Sequence, residues 1–185
     1  VEVEAADGTR VSYSAKHIII ATGARSRELP NLRQDGMKII GYREAMNLPS
    51  LPASMVVVGS GAIGSEFAGF YRAMGTEVTL VKFMPRVLPI EDEEVSRTLE
   101  RAFKKAKMKI MVNSTVEKVD TSGEKCIVTI KTPKGEETVE TEIVLSAVGI
   151  TPNIEGIGLE EAGVKTDRGR VVVDEFYRTS VSGVY

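Results

Sequence analysis

Cysteine and histidine each occur once in the 185 residues, and that scarcity excludes several kinds of chemistry. Cys126, inside the strand-like run Lys125-Cys126-Ile127-Val128-Thr129-Ile130, can form neither an internal disulfide nor a two-cysteine redox centre, and reads as a small strand residue. His17 precedes Ile18-Ile19-Ile20 with no Cys, Ser or carboxylate pattern resembling a triad or a metal site, and reads as a strand-entry residue. No catalytic residue and no metal ligand are therefore expected. Charge of one sign is also lacking: 24 Lys and Arg stand against 26 Asp and Glu, for a net charge of −2, so nothing points to a nucleic-acid partner. No apolar run approaches the length of a membrane span, and Val1-Glu2-Val3-Glu4 has no signal-peptide character. A soluble, cytoplasmic or organelle-matrix setting is expected, and the missing Met at position 1 suggests a segment excised from a longer chain.

What the sequence does contain is Met55-Val56-Val57-Val58 running into Gly59-Ser60-Gly61-Ala62-Ile63-Gly64-Ser65-Glu66. An apolar strand, then Gly-x-Gly-x-x-Gly, then a helical pattern is the arrangement that holds a dinucleotide pyrophosphate. Gly59 permits the tight turn, Gly61 lets backbone approach the phosphates, and Gly64 lets helix pack on strand. Free N–H groups and the positive helix end then face the anion. Glu77-Val78-Thr79-Leu80-Val81 closes the β-α-β unit. The predicted class is α/β: a Rossmann-like domain with a parallel sheet and a three-stranded meander, over 53–150. Residues 1–52 and 151–185 are expected to be parts of a second, incomplete nucleotide domain.

Along the chain, Val1 to Ala5 and Val11 to Tyr13 read as a hairpin around Asp7-Gly8, followed by a strand from His17 to Ala21. Ser26 to Pro52 reads as a connection with a short helix at Tyr42 to Asn47. After the first β-α-β unit, the spacing predicts a helix over Asp92 to Ala106, with acidic residues first and basic residues last as the helix macrodipole favours. A third parallel strand is predicted at Lys109 to Val112. Val116 to Thr121, Cys126 to Thr132 and Glu137 to Val139 form the meander, and Glu142 to Gly149 is a buried returning strand. A repeat is visible: Ile18-Ile19-Ile20-Ala21-Thr22-Gly23 matches Val144-Leu145-Ser146-Ala147-Val148-Gly149, and Asp7-Gly8 then matches Lys134-Gly135 with a one-residue gap. It suggests two dinucleotide folds, one inserted into the other.

Ile18-Ile19-Ile20-Ala21-Thr22-Gly23-Ala24, the stretch from Leu51 to Glu66, Leu88 to Ser96, and Ala147-Val148-Gly149-Ile150-Thr151-Pro152-Asn153 together resemble the pyridine nucleotide-disulfide oxidoreductases, and within them the members that oxidise dihydrolipoamide. The resemblance implies NAD as the cofactor of this segment and FAD in the longer parent. It places Gly59, Ser60, Gly61, Ala62, Ile63, Gly64, Ser65 and Glu66 around the NAD pyrophosphate, Val116 near the adenine, and Gly149 near the nicotinamide half. Thr22, Gly23 and Ala24 match a segment lying against FAD. Glu66 also matches a Glu that pairs with a Lys beside the redox cysteines; as an isolated residue it equally reads as an acid favoured by the helix dipole. The parent would be a homodimer passing electrons from dihydrolipoamide on a carrier domain, through a disulfide and FAD, to NAD. The redox cysteines, the FAD glycine motif and the dimerisation domain lie outside these residues, so this chain alone is expected to bind nucleotide without turnover and to hold no tight flavin.

One position departs from the pattern. An acidic residue at the end of the second strand normally accepts hydrogen bonds from the adenosine ribose, and here Lys82 occupies it. A cation cannot accept them, but Lys82, with Arg86 nearby, suits the extra phosphate of NADP. Gly64 and the wider resemblance favour NAD. Glutathione or mercuric reductases and NADH oxidases of the same family are neighbouring readings. A non-catalytic nucleotide-sensing module is a different one. A fragment would expose apolar surface on Val1 to Ala24 and Ile150 to Tyr185.

Overall fold

A computed structural model describes all 185 residues, which divide into two compact units: Val1–Arg25 with Thr151–Tyr185, and Ser26–Ile150. In sequence the second unit is thus inserted within the first. The first opens with the predicted hairpin, β1 (Glu2–Glu4) and β2 (Arg10–Ser12), paired antiparallel, with Gly8 in the turn at φ +84°. The chain leaves this unit through β3 (Ala24–Ser26) and returns through the strand Ile150–Pro152.

The predicted strand from His17 to Ala21 does not form, and only a single parallel bridge joins Ile18 to Val184. A strand exists through its neighbours, and this segment finds three residues' worth of them. Ile18 N–H donates to Gly183 O, Ile20 N–H to Tyr185 O, and Tyr185 N–H to Ile18 O. Ile19 points away, 76% exposed. The repeat is visible instead in the turns: Gly8 and Gly135, and Gly23 and Gly149, all take positive φ.

The second unit holds β4 (Ile39–Ile40), α1 (Tyr42–Ala45), β5 (Ser54–Val58), α2 (Ala62–Ala73), β6 (Glu77–Val81), α3 (Glu93–Lys105), β7 (Lys109–Met111), β8 (Thr115–Asp120), β9 (Cys126–Thr132), β10 (Gly135–Thr141) and β11 (Ile143–Ser146). Five of these strands form a parallel sheet in the order β4-β11-β5-β6-β7. The stretch 26–52, read from sequence as a connection, supplies β4 and α1 to this unit, because Ile39 and Ile40 pair with Val144 and Leu145 and are buried. The expected boundary at 52/53 falls inside the unit.

Side chains alternate across a strand, and here the alternation separates two cores. Met55, Val57, Val78, Leu80 and Leu145 pack with Ala68 and Tyr71 of α2 and Phe103 of α3. Val56, Val58, Val81, Met111 and Val144 face the other way, onto Val116, Cys126, Val128 and Ile130 of the β8-β9-β10 meander. Helices cover one face of the sheet and a second sheet covers the other, which is why Met55 to Val58 of β5 reads as an unbroken apolar run rather than an alternating one. Within α3 the apolar stripe is only partly used: Phe103 is buried, while Val95 is 51% exposed.

Candidate functional site

From β5 the chain steps to β6 and β7 on one side of it, then crosses over through the meander to β11 on the other side, so the strand order reverses at β5. Open parallel sheets bind ligands in the crevice at the carboxyl ends of the strands where the order reverses. A groove of about 660 Å³ lies there, lined by Val58, Gly59 and Gly61, by Val81 and Lys82, by Ser114, Thr115 and Val116, by Ala147, Val148 and Gly149, and by Arg27, Asn31 and Phe83 among others. All belong to the second unit.

The glycine turn is built as its spacing predicts. Gly59 has φ +103°, and a Cβ there would lie 2.3 Å from Ala147 O. At Gly64 a Cβ would meet Gly59 O at 1.9 Å, so α2 can approach β5 only with glycine at that position. Gly61 is different: a Cβ would meet nothing within 4 Å, because its open side faces the groove. The turn is held by Gly59 N–H donating to Val81 O (2.9 Å), Leu88 N–H to Ser60 O (2.8 Å) and Ser65 Oγ to the same carbonyl (3.3 Å). Gly61 is the N-cap of α2 and has no side chain to cap with, and Ser65 N–H makes the first backbone bond, to Gly61 O. The N–H groups of Ala62, Ile63 and Gly64 are those that a helix start leaves without an intrahelical partner.

The predicted residues separate clearly. Gly59, Gly61, Lys82, Val116 and Gly149 line the groove. Ser60, Gly64 and Ser65 are buried beneath it, and the Ser60 Oγ has no hydrogen-bond partner. Ala62 and Ile63 stand at the helix mouth. Glu66 faces elsewhere: it is exposed and lines a separate surface hollow with Ala45, Met46, Phe67 and Phe70. Gly64 and Ala68 take the sheet-facing side of α2, and Glu66 and Phe70, two residues on from each, turn outward. Thr22, Gly23 and Ala24 belong to the first unit, where Thr22 and Gly23 line a hollow of about 250 Å³ with Arg170, Tyr177 and Tyr185.

Sequence reasoning missed Arg27 and Asn31, both in the stretch read as a connection. Arg27 N–H donates to Gly149 O (2.9 Å) and its side chain is exposed with no ion pair, leaving a guanidinium at the Gly149 end. Asn31 Nδ2 donates to Val116 O (2.6 Å), just before the irregularity that breaks the β8 register between Val116 and Lys118. No local signal marks them, because the stretch has neither helical nor strand periodicity.

The family model for pyridine nucleotide-disulphide oxidoreductases matches residues 1–185. The chain belongs to that family. Its relatives include the dihydrolipoyl dehydrogenases of Rhizobium etli, 46% identical over 94% of this chain and 36% of that protein, and of Chlorobaculum parvum, 45% identical over 100% of this chain and 40% of that protein. Among solved structures, LpdA from Mycobacterium tuberculosis superposes with a TM-score of 0.88 at 36% identity, covering 100% of this chain and 40% of that one. The chain thus spans about two fifths of the length of the curated relatives it matches. As a member of the pyridine nucleotide-disulphide oxidoreductase family it is a Rossmann-like α/β protein, and no helix in it is long and apolar enough to cross a membrane.

In this family member the exception remains Lys82. Its main chain is fixed by Lys82 N–H donating to Met111 O (2.8 Å) and Lys82 O accepting from Ser114 N–H (2.9 Å). Burial pushes its ammonium below the ordinary lysine range, with no carboxylate offsetting the cost. Arg86 does not join it, since its guanidinium donates to Pro89 O (3.0 Å) and Glu91 O (3.4 Å).

Proposed function

We propose that residues 26–150 bind the pyridine dinucleotide NAD(H) in the groove at the β5–β11 switch point. The observation that carries this reading is the contrast among three glycines: two are filled by neighbouring backbone, and the third, Gly61, opens on empty space beside an uncapped helix start. Backbone N–H groups at Gly61, Ala62 and Ile63 would hold the pyrophosphate, which is the ordinary anion preference of such a helix end. Val116 would lie against the adenine and Gly149, with Arg27 beside it, against the nicotinamide half. NAD would supply a hydride acceptor, and this chain's residues would bind and orient it.

For the longer protein we propose a cytoplasmic, homodimeric dihydrolipoyl dehydrogenase, in which FAD and a disulfide carry electrons from dihydrolipoamide on a carrier domain to NAD. Support comes from 42–46% identity to several proteins of that name over almost the whole of this chain. Thr22, Gly23 and Ala24 would then belong to the flavin side, and Glu66, on its separate exposed hollow, would meet a group other than the nucleotide. With one cysteine, residues 1–185 cannot form the disulfide themselves, so turnover of dihydrolipoamide by this chain alone is expected to be nil.

The test is an amide-resolved NMR titration of the chain with NADH. Shifts should cluster at residues 59–64, 82, 116 and 149. Saturating NADH with no perturbation at Gly59 to Gly64 would remove the reading.

A further inference from the structure

The charge in the groove is wrong for a site that must refuse a phosphorylated ribose. We infer that this groove, taken as the dinucleotide site proposed above, accepts a 2′-phosphate on the adenosine ribose, so that NADPH binds at least as well as NADH, with Lys82 as the residue that sets the preference.

Lys82 and Arg27 are the only charged residues lining the groove, and no Asp or Glu lines it. This is not a reflection of global charge, because the chain as a whole carries −2. Selectivity for NAD ordinarily uses a carboxylate at the end of the second strand twice over: it accepts from the ribose hydroxyls and it repels a phosphate there. Lys82 stands one residue past the end of β6, so both functions are lost at once.

Nor is Lys82 a solvated strand end. It is half-buried, its backbone is pinned on both sides by the bonds to Met111 and Ser114, and its Nζ has no hydrogen-bond or ion-pair partner. A partly desolvated, unpaired ammonium is held at a cost that an arriving phosphate would offset, and burial strengthens the attraction by lowering the local dielectric. The hydroxyl of neighbouring Ser114 is already spent on Val112 O (2.8 Å), and Arg86 is spent on Pro89 and Glu91. Recognition of the phosphate therefore rests on one cation, which makes the effect removable by one substitution.

The 185-residue chain is titrated calorimetrically with NADH and with NADPH, at low and high salt, and again as Lys82→Glu and Lys82→Gln, with circular dichroism confirming the fold of each. In the parent chain NADPH should bind as tightly as NADH or tighter, and lose more affinity as salt rises. Lys82→Glu should weaken NADPH about tenfold or more, the size of one charge-assisted contact, and tighten NADH. If the Glu variant fails to fold, Lys82→Gln should still lower the NADPH-to-NADH affinity ratio severalfold. NADH binding tighter than NADPH in the unsubstituted chain, or a ratio unmoved by either variant, overturns the inference while leaving the dinucleotide reading intact. Binding of neither nucleotide overturns the dinucleotide reading itself, and this inference with it.

Discussion

Gly59, Gly61 and Gly64 each require glycine for a separate reason, and the reasons lead to different consequences when a methyl group is added. Gly64→Ala pushes a Cβ to within 1.9 Å of Gly59 O, rigid backbone on both sides, so α2 must shift; thermal unfolding should report a loss of roughly 1–3 kcal/mol, typical of overpacking. Gly61→Ala meets open space at φ −70°, so the variant should melt no lower than the parent chain, while its methyl enters the groove. Calorimetry should show its NADH affinity reduced at least tenfold, about 1.4 kcal/mol. A Gly61→Ala protein that binds as well as the parent would show that the pyrophosphate is held elsewhere. Arg27 is the other residue on which the site turns. Arg27→Gln should leave stability unchanged, because the side chain is exposed and unpaired, and should weaken the dinucleotide at low salt more than at high salt.

At the level of elements, α3 shows how local chemistry fixes a boundary. Asp92 Oδ1 accepts from Glu94 N–H at 2.7 Å, capping the helix, with Glu93 and Glu94 at its positive end and Lys104 and Lys105 at its negative end. Asp92→Ala should cost about 1 kcal/mol in urea unfolding, with α3 amides exchanging faster than those of α2. A second elemental device lies in the first unit, where Arg25 donates to both oxygens of Glu155 (2.8 and 3.1 Å) and to Asn153 Oδ1 (2.9 Å). The Arg25 guanidinium holds the Glu155 carboxyl down at about 2 from an ordinary 4.5. A depressed acid contributes its stabilisation above the ordinary value and loses it as pH falls through the folded one. The clasp should therefore stay closed until pH falls through about 2, while its contribution to stability, full above about 4.5, shrinks across the interval between the two values. Side-chain carboxyl NMR should show Glu155 titrating near 2, and moving up toward 4.5 in Arg25→Ala. Both groups are exposed, so global stability should scarcely register the change.

For the whole molecule, the distribution of core is uneven. Both apolar clusters lie within Ser26–Ile150, whereas the first unit leaves Ile19, Val172, Phe176 and Tyr177 exposed and buries little beyond Val164. Amides in β5, β6, β9 and β11 should be the slowest to exchange, and proteolysis under native conditions should leave a core near residues 26–150. Cleavage inside β5 or β6 before the first unit is lost would contradict that order of stability. The exposed apolar side chains also favour self-association at high concentration, which light scattering would detect.

The central unit is dictated by local sequence. Strand, glycine turn, helix and second strand are local features, each set by spacing and backbone sterics within a few residues, and so are the α3 cap and the hairpin glycines. Three things were decided only in three dimensions. The run Ile18-Ile19-Ile20 has strand composition yet forms a single bridge, because pairing depends on what lies beside it and not on propensity. Ile39-Ile40 has too few residues to announce a strand, yet joins the sheet because β11 presents an open edge to it. Finally, Arg27 and Asn31 meet the groove from a stretch without periodicity, and Glu66, close to the glycine turn in sequence and within the first turns of α2, faces away from it. Helical rotation and chain crossings fix such directions, and neither is a property of residue order alone.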